Sequence, residues 1–339
     1  MVELCLAKSL WGVNEAGDPE KWDAMLRRIK EDGYLAVESI LVFDVNQNPP
    51  LFRELLDKHG LGIFIQLHTA SDWSTYNYCT SCELSVHVAS FRALVQDCLQ
   101  HKPLLINVHS GHDSWDLATA VLYFEQVLAI ERELLIGEHQ DVVLVHETHR
   151  QRLLHSPYQT RDILAHPSIN GKLRVNCDLS HWVCVCERLF GSDDASVTGR
   201  GRDAWWPALL KDVARHCHLV HARIGHVEGP QVVDPRSSTA ASELAAHLSW
   251  WRVIFAEQLG AATDRRTSIY VTTEHGPEPY QIFDVSGGEV VTAAGGRSAL
   301  SAEEKCAFLW DVNSFVKAKV QQLYNSLAVG PLKEAGARI

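Results

Sequence analysis

Short apolar segments and longer amphipathic segments alternate eight times along this chain. The apolar segments predict β-strands at residues 3–10, 34–43, 62–69, 104–109, 142–148, 173–179, 218–224 and 268–274. The amphipathic segments predict helices at about 19–31, 50–59, 84–101, 114–136, 158–166, 203–216, 240–259 and 301–326. Such alternation is typical of a parallel sheet, and eight units in 339 residues favour a closed barrel over an open sheet. We therefore predict the α/β fold class, as a single (β/α)8 TIM barrel.

The whole chain, residues 1–339, is expected to form one barrel domain, because no Ser/Gly linker and no low-complexity tract divides it. Two long irregular segments, 224–239 and 276–300, follow the last two predicted strands. Loops of this length in a compact domain usually carry function, so we expect both to cover the C-terminal face of the barrel as a lid. Gly-Gly pairs occur at 287–288 and 295–296. Because phosphate sites often follow the last strands of such barrels, a phosphorylated substrate is one of the alternatives.

Bulk composition argues against several classes of partner. The net charge is −11 and no basic run is present, so we expect no nucleic-acid partner. No apolar stretch reaches the roughly 18 residues of a membrane span, and the N-terminal residues do not read as a signal peptide. Nine cysteines without regular spacing indicate free thiols in a reducing compartment. The chain is therefore expected in the cytoplasm, with no membrane partner.

Four of the predicted strands lead into a side chain that can bind a metal ion. The segments are VVLVHETHR (142–150), LRVNCDLSHW (173–182), HLVHARIGH (218–226) and SIYVTTEHGPEPY (268–280), and the candidate ligands are Glu147, Asp178, His221 and Glu274. The carboxyl ends of barrel strands meet at the edge where active sites lie. One strand-end carboxylate alone is more often a helix cap or an arginine partner, but four candidate ligands at four strand ends together favour a metal site. Three carboxylates and one imidazole suit one divalent ion, preferably Mn²⁺ or Mg²⁺.

Strand parity predicts which side chains point into the barrel, since alternate residues of a strand share a face. Glu147 shares the inward face with Val145, whereas His146 points away, as does His275 beside Glu274. The predicted inward polar side chains are Gln66, His68, Asn107, His109, Glu147, Asn176, Asp178, His221, Arg223, Thr272 and Glu274. Polar groups from at least six strands are therefore expected to converge on one mouth.

This pattern resembles the xylose-isomerase-like barrels of the sugar isomerase/epimerase superfamily. That superfamily takes one metal ion from Glu, Asp, His and Glu on its last four strands, the order in which Glu147, Asp178, His221 and Glu274 occur here. The run from Asp178 to His181 matches the Asp-x-x-His of the superfamily, which implies that His181 binds a substrate hydroxyl. Arg223 lies in a substrate-binding position two residues past His221, and the inward-facing His109 and His68 complete the expected substrate-binding set. Related barrels commonly form dimers or tetramers, so the resemblance also leaves a homo-oligomer open.

The resemblance implies an enzyme of carbohydrate metabolism that isomerises or epimerises a sugar or a small hydroxy-carbonyl compound. In related epimerases the two metal-bound glutamates, here Glu147 and Glu274, take and return a proton next to a carbonyl by way of an enediolate. A metal-dependent lyase on the same scaffold, of the dehydratase or C-glycoside-cleaving type, is the alternative, because His146 and His149 beside Glu147 offer an acid for a leaving group. A non-catalytic binding protein is the third class. A barrel endonuclease fits poorly with the acidic net charge.

Overall fold

Eight parallel strands close into a barrel in chain order, and the last strand pairs with the first. The computed structural model describes residues 2–41, 46–75, 77–191, 204–261, 268–283, 290–291, 297–298 and 300–328. The strands are β1 Glu3–Ser9, β2 Ala36–Ile40, β3 Gly62–His68, β4 Leu105–His109, β5 Val143–Glu147, β6 Val175–Cys177, β7 Cys217–Ala222 and β8 Ser268–Thr273. All eight predicted strands are present, so the predicted (β/α)8 fold is confirmed.

Nine α-helices are found in the described ranges. They are α1 Trp22–Glu31, α2 Pro49–His59, α3 Leu84–Leu99, α4 Leu117–Leu134, α5 Pro157–Ala165, α6 Leu179–Val185, α7 Trp206–His216, α8 Ala241–Gly260 and α9 Ala302–Ala328. Eight of them match the predicted helices. The short α6 is a correction, because the predicted sixth strand, 173–179, runs past the true end of β6 at Cys177. Asp178 caps α6 rather than extending the strand.

Helix α2 shows how local sequence sets the helix boundaries. The side chain of Asn48 accepts a hydrogen bond from the backbone N of Leu51 at 3.3 Å, which caps the first turn. Pro49 and Pro50 open the helix, where the missing N–H of proline has no intrahelical partner to lose. The helix ends at Gly60, whose φ of 60° is left-handed and therefore suits glycine.

The interior of the barrel is apolar at its floor and polar at its mouth. The floor is formed by Cys5, Ala7, Ala36, Phe64, Leu105, Val145 and Leu219. A larger apolar core lies between the strands and the surrounding helices. Val145 and Leu219 lie two residues before Glu147 and His221. Both β5 and β7 therefore place an apolar side chain in the floor and a polar one at the mouth on the same face. The polar mouth is therefore a direct consequence of strand parity.

The segments that follow β7 and β8 are joined by the side chain of Gln231. Its Nε2 donates to the backbone oxygen of Gly276 and to Oε1 of Gln281, both at 3.0 Å. Its Oε1 accepts from the backbone N of Gly276 at 2.8 Å. Both ends of this amide are thus used to hold the two predicted loop segments together.

Much of the second predicted loop segment, 276–300, lies outside the described residues. Residues 284–289, 292–296 and 299 are not described, and both Gly-Gly pairs fall among them. Of the remainder, β9 Val290–Val291 pairs antiparallel with β10 Arg297–Ser298. The lid role of 224–239 and 276–300 stays a prediction.

None of the described helices combines the length and apolarity needed to cross a membrane. All nine cysteines fall within the described ranges, and none of them forms a disulfide.

Candidate active site

Glu147, Asp178, His221 and Glu274 come together at the C-terminal mouth of the barrel. Donor atoms of the first three lie within 4.8 Å of one another. Glu274, which directly follows β8, brings its Oε2 to 2.8 Å from Nδ1 of His221. None of the four residues is more than 6% exposed. The structure therefore gathers all four predicted ligands into one small, buried volume.

Nδ1 of His221 and Oε2 of Glu274 are both buried and face each other at 2.8 Å without a hydrogen bond of regular geometry, and Nδ1 of His221 also lies 3.5 Å from Oε2 of Glu147. One shared cation would satisfy oxygen and nitrogen atoms that lie this close together in a buried volume. The residues therefore fit a divalent ion, which Glu147, Asp178, His221 and Glu274 would hold through oxygen and imidazole nitrogen.

Glu38 on β2 is a fourth buried carboxylate at the mouth, and it was not among the predicted site residues. Nε2 of His221 lies 3.0 and 3.1 Å from the two oxygens of Glu38. A carboxylate on one ring nitrogen fixes the tautomer of a histidine, which leaves the lone pair of the other nitrogen for a metal. The only sequence signal was a single acid in an apolar run, at the same parity as the floor residue Ala36.

Side-chain amides orient the two glutamates that were predicted to move protons. Nδ2 of Asn107 donates to Oε2 of Glu147 at 2.6 Å, and Nδ2 of Asn176 donates to the same oxygen at 3.2 Å. Nε2 of Gln66 donates to Oε1 of Glu274 at 3.0 Å. These three amides were predicted to face inward, and their donors fix each carboxylate in one orientation.

Asp178 also fills both of the structural roles that a lone strand-end carboxylate often has. Its Oδ1 caps α6 by accepting from the backbone N of Ser180 at 3.1 Å, and its Oδ2 accepts from Nη2 of Arg223. The same Nη2 lies 3.3 Å from Oε2 of Glu274. Burial raises the pKa of Asp178 to about 6, and the nearby Arg223 opposes this increase. Arg223 therefore neutralises part of the negative charge of the cluster.

The charges of this cluster determine how its members are protonated in the metal-free chain. Burial disfavours a charged His221, but Glu274, Glu38 and Glu147 outweigh burial and raise the pKa of His221 well above its ordinary value. Burial also acts to raise the pKa of Glu147 and Glu274. Burial is outweighed at Glu147 by the nearby His109 and His221, and at Glu274 by His221 and Arg223, so the pKa of both glutamates is lowered. Both glutamates are thus ionised and can accept a proton or bind a cation.

A cavity of about 380 Å³ opens onto the cluster. Glu147 and Glu274 line this cavity, whereas Asp178 and His221 are fully buried and do not. Four aromatic side chains also line it: Trp11, Trp73, Tyr78 and Tyr280. Two carboxylates of the cluster are therefore accessible to a small molecule, and the other two ligands are not.

Trp11 and Tyr280 form one wall of the cavity. Their rings meet edge to face with centroids 5.0 Å apart, and the guanidinium of Arg223 lies 4.9 Å from the centroid of the Tyr280 ring. Trp11 packs on Gly276 so closely that a Cβ at Gly276 would lie 2.1 Å from the indole. Tyr280 was not a predicted site residue, because it belongs to a loop whose conformation depends on contacts with distant parts of the chain.

The predicted substrate-binding histidines occupy different positions relative to the cavity. His68 and His109 line it, and their rings stack with centroids 3.9 Å apart. His181 is fully buried, and its Nε2 accepts from Nη2 of Arg223 at 3.0 Å. His181 thus contacts Arg223, which lines the cavity, but does not line the cavity itself. The assignment of His68, His109, His181 and Arg223 to substrate binding remains a prediction.

His149 lines the cavity as well, although it was predicted only as an acid for the lyase reaction. Its ring lies 3.9 Å from that of His181 and 4.4 Å from that of His109, measured between centroids. Burial, together with neighbouring histidines and arginines, lowers the pKa of His68, His149 and His181 well below the ordinary value. These three histidines are therefore neutral in the metal-free chain.

His146 and His275 point away from the barrel axis, as parity predicts. Nδ1 of His146 lies 2.6 Å from Oγ of Ser110, and its ring packs against Phe124. Nε2 of His275 lies 2.8 Å from Oε1 of Gln281. Both histidines support the loops around the mouth rather than the cavity.

Several solved structures share this fold. An L-ribulose 3-epimerase matches with a TM-score of 0.57 and 11% identity, over 98% of this chain and 99% of that chain. The IolI protein with a zinc atom gives 0.55 and 13% identity, over 94% and 99%. The probable 3-DHS dehydratase AsbF from Bacillus anthracis gives 0.51 and 11% identity, over 91% and 98%. No protein-family profile and no curated protein matches the sequence.

At 11–13% identity these likenesses establish the fold. The class of protein that results is a closed (β/α)8 barrel with a cluster of carboxylates and one imidazole at its mouth, and the predicted fold is confirmed. The solved structures that share this fold include both a sugar epimerase and a dehydratase. The shared fold therefore accommodates more than one reaction.

Proposed function

We propose that this chain is a divalent-metal-dependent isomerase or epimerase of a sugar or a small hydroxy-carbonyl compound. The observation that carries the proposal is the division of the four ligands around the cavity. Glu147 and Glu274 face the cavity, while Asp178 and His221 are buried beside them. Glu147 and Glu274 can therefore contact both the cation and the substrate, whereas Asp178 and His221 can only hold the cation.

The cation, Mn²⁺ or Mg²⁺ in this proposal, would supply a Lewis acid for the oxygens of the substrate. The solved IolI protein carries zinc, and a site with one imidazole accepts zinc as well. The donor set here has three carboxylates and only one imidazole, and hard oxygen ligands favour Mg²⁺ and Mn²⁺.

Proton transfer is assigned to Glu147 and Glu274. One ionised carboxylate takes the proton from the carbon next to the carbonyl, and the other, which has been protonated from solvent before this step, returns one to the opposite face. Each is oriented for this task by amide donors: Asn107 and Asn176 on Glu147, and Gln66 on Glu274. After one turnover the two carboxyl groups have exchanged protonation states, so the reverse reaction follows the same path.

The aromatic walls and Arg223 are assigned to substrate positioning. The rings of Trp11 and Tyr280 line the cavity, and aromatic rings suit the C–H face of a sugar. The guanidinium of Arg223 and the imidazoles of His68 and His109 border the same space and can donate to or accept from substrate hydroxyls. A polar molecule with an apolar face therefore matches this lining.

A metal-dependent lyase is the second candidate, and His149 is the observation that favours it. His149 lines the cavity beside Glu147, where an acid for a leaving group would have to lie. The lowered pKa of His149 makes it neutral and a weak proton donor in the metal-free chain. For this reason the epimerase is the first proposal and the lyase the second.

The same proposal covers partners and location. The substrate is a small sugar-like molecule, and the net charge of −11 argues against a nucleic-acid partner. A cytoplasmic location is part of the proposal, and the choice between monomer and homo-oligomer is left open by it.

Solvent deuterium exchange tests the proposal directly. Metal-stripped protein is reloaded with Mn²⁺ and incubated in D₂O with a panel of ketoses, and products are analysed for deuterium and for configuration. An epimerase gives an isomeric product with deuterium at the carbon next to the carbonyl. A dehydrated or cleaved product identifies the lyase instead, and no exchange with any ketose counts against both.

A further inference from the structure

A second cluster of metal-type ligands adjoins the first and shares Glu147 with it. Donor atoms of His109, His149 and Glu147 lie within 4.8 Å of one another. Nε2 of His109 is 2.9 Å from Oε2 of Glu147. All three side chains are at least nine-tenths buried, yet all three line the cavity, so an ion can reach them from solvent.

We propose that His109, His149 and Glu147 form a second divalent-cation site, of the zinc class. The inference depends on the position of Glu147 but not on the reaction proposed above. Two imidazoles and one carboxylate with access to a cavity are a three-ligand set with one open position. This donor set is softer than the three carboxylates and one imidazole of the first site, so the two sites prefer different ions.

The hydrogen bonds of His149 leave one nitrogen free for a metal. Its Nδ1 is bonded to the backbone carbonyl of Arg150, which requires the proton to be on Nδ1. Nε2 then carries the lone pair. A histidine that donates its other N–H to a backbone carbonyl is the usual arrangement of a metal ligand.

His109 has no such anchor, and its position is set by packing instead. Neither of its ring nitrogens makes a hydrogen bond of regular geometry within the described residues, although the side chain is only 4% exposed. The ring is held between two others, with His68 stacked on one side at 3.9 Å and His149 on the other at 4.4 Å. With zinc–ligand bonds of about 2.0–2.1 Å, two ligand atoms of one ion lie about 3 Å apart, as Nε2 of His109 and Oε2 of Glu147 do.

The charge around this cluster also favours a cation. Glu147, Glu274 and Asp178 contribute three carboxylates within the same mouth. Of the nearby cations, Arg223 is paired with Asp178. Arg152 is turned away, and its guanidinium donates to the backbone oxygens of Thr69 at 2.8 Å and of Tyr78. Among the described residues, neither of these two guanidinium groups is therefore ion-paired with a ligand of the second cluster.

Zinc stoichiometry is the test. Metal-stripped protein is titrated with Zn²⁺ by isothermal calorimetry, and bound zinc is counted after gel filtration by mass spectrometry. Wild-type protein is expected to bind two equivalents, and His149→Ala or His109→Asn one. Asp178→Asn should weaken the other equivalent and retain the one held by the histidines. His139→Ala, which removes a histidine from the short helix Gly137–His139, is the matched control and should keep two.

The outcomes separate this inference from the proposed function. A single equivalent in wild type, lost in Asp178→Asn and unaffected by His149→Ala, overturns the second site and leaves the first intact. A single equivalent lost in His149→Ala and unaffected by Asp178→Asn supports the second site and counts against the metal dependence proposed above. Two equivalents retained in both histidine variants also overturn the inference. If one histidine variant does not fold, the other and the wild-type stoichiometry still decide.

Discussion

Replacing Glu38 tests how strongly the buried surroundings of His221 control metal binding. The two oxygens of Glu38 lie 3.0 and 3.1 Å from Nε2 of His221 and hold the ring so that Nδ1 faces the other ligands. Loss of such an outer carboxylate typically weakens metal binding by about 10- to 100-fold, which is about 1.4 to 2.7 kcal/mol. We expect Glu38→Gln near the lower limit, because its amide oxygen still accepts a hydrogen bond, and Glu38→Leu near the upper limit.

The measurement is the dissociation constant of Mn²⁺ in metal-stripped protein, because Mn²⁺ prefers the carboxylate-rich cluster. Glu133→Gln makes the same chemical change on an exposed residue of α4 that pairs with Arg92, and it should bind Mn²⁺ as wild type does. Circular dichroism checks that each variant is folded. A folded Glu38→Leu protein with unchanged Mn²⁺ affinity refutes the role given to Glu38.

Three further outcomes are expected. The pKa of His221 is raised well above its ordinary value, so Mn²⁺ must displace a proton from His221 when it binds. Calorimetry should therefore show that the affinity for Mn²⁺ rises with pH. An affinity that does not change with pH contradicts proton displacement. Burial lowers the pKa of His247 to about 4, whereas an unfolded histidine titrates near about 6.5. His247 therefore contributes stability above the unfolded value that is lost as pH falls. Between about pH 7 and about pH 5, urea unfolding of His247→Gln should show about 2 kcal/mol less loss of stability than that of wild type, and an unchanged pH slope in His247→Gln argues against this source. Gly276→Ala places a Cβ 2.1 Å from Trp11, which should cost about 1–3 kcal/mol in thermal denaturation. Gly17→Ala, with nothing within 4 Å of the new Cβ, is the control, and equal melting temperatures contradict the clash.

The parts of the fold and site that could be predicted from sequence follow from local periodicity. Two-residue alternation places Val145 in the floor and Glu147 at the mouth, and the same rule turns His146 outward. Because all strands are parallel, their carboxyl ends meet at one edge, so ligands far apart in sequence were expected together. The predicted second helix, about 50–59, matches α2, which opens with Pro49 and Pro50 and is followed by Gly60.

The parts that were missed depend on contacts between distant segments. Glu38 is 183 residues from His221, and β2 and β7 are not neighbours in the sheet, so no pattern along the chain links them. Tyr280 reaches the cavity from a loop held by Gln231, and loop conformation is set by such partners. Helix α6 was missed because its seven residues are too few for helical periodicity to emerge.

The central claim is that Glu147 and Glu274 move the proton while the buried ligands only hold the cation. Its most direct measurement is turnover and deuterium incorporation by Glu147→Gln and Glu274→Gln, loaded with Mn²⁺ and assayed in D₂O on a ketose that the wild-type protein converts. Each variant should lose net conversion, because one face of the substrate then lacks its acid or base, while Glu133→Gln converts substrate normally. Retention of most of the wild-type conversion by either variant contradicts the claim.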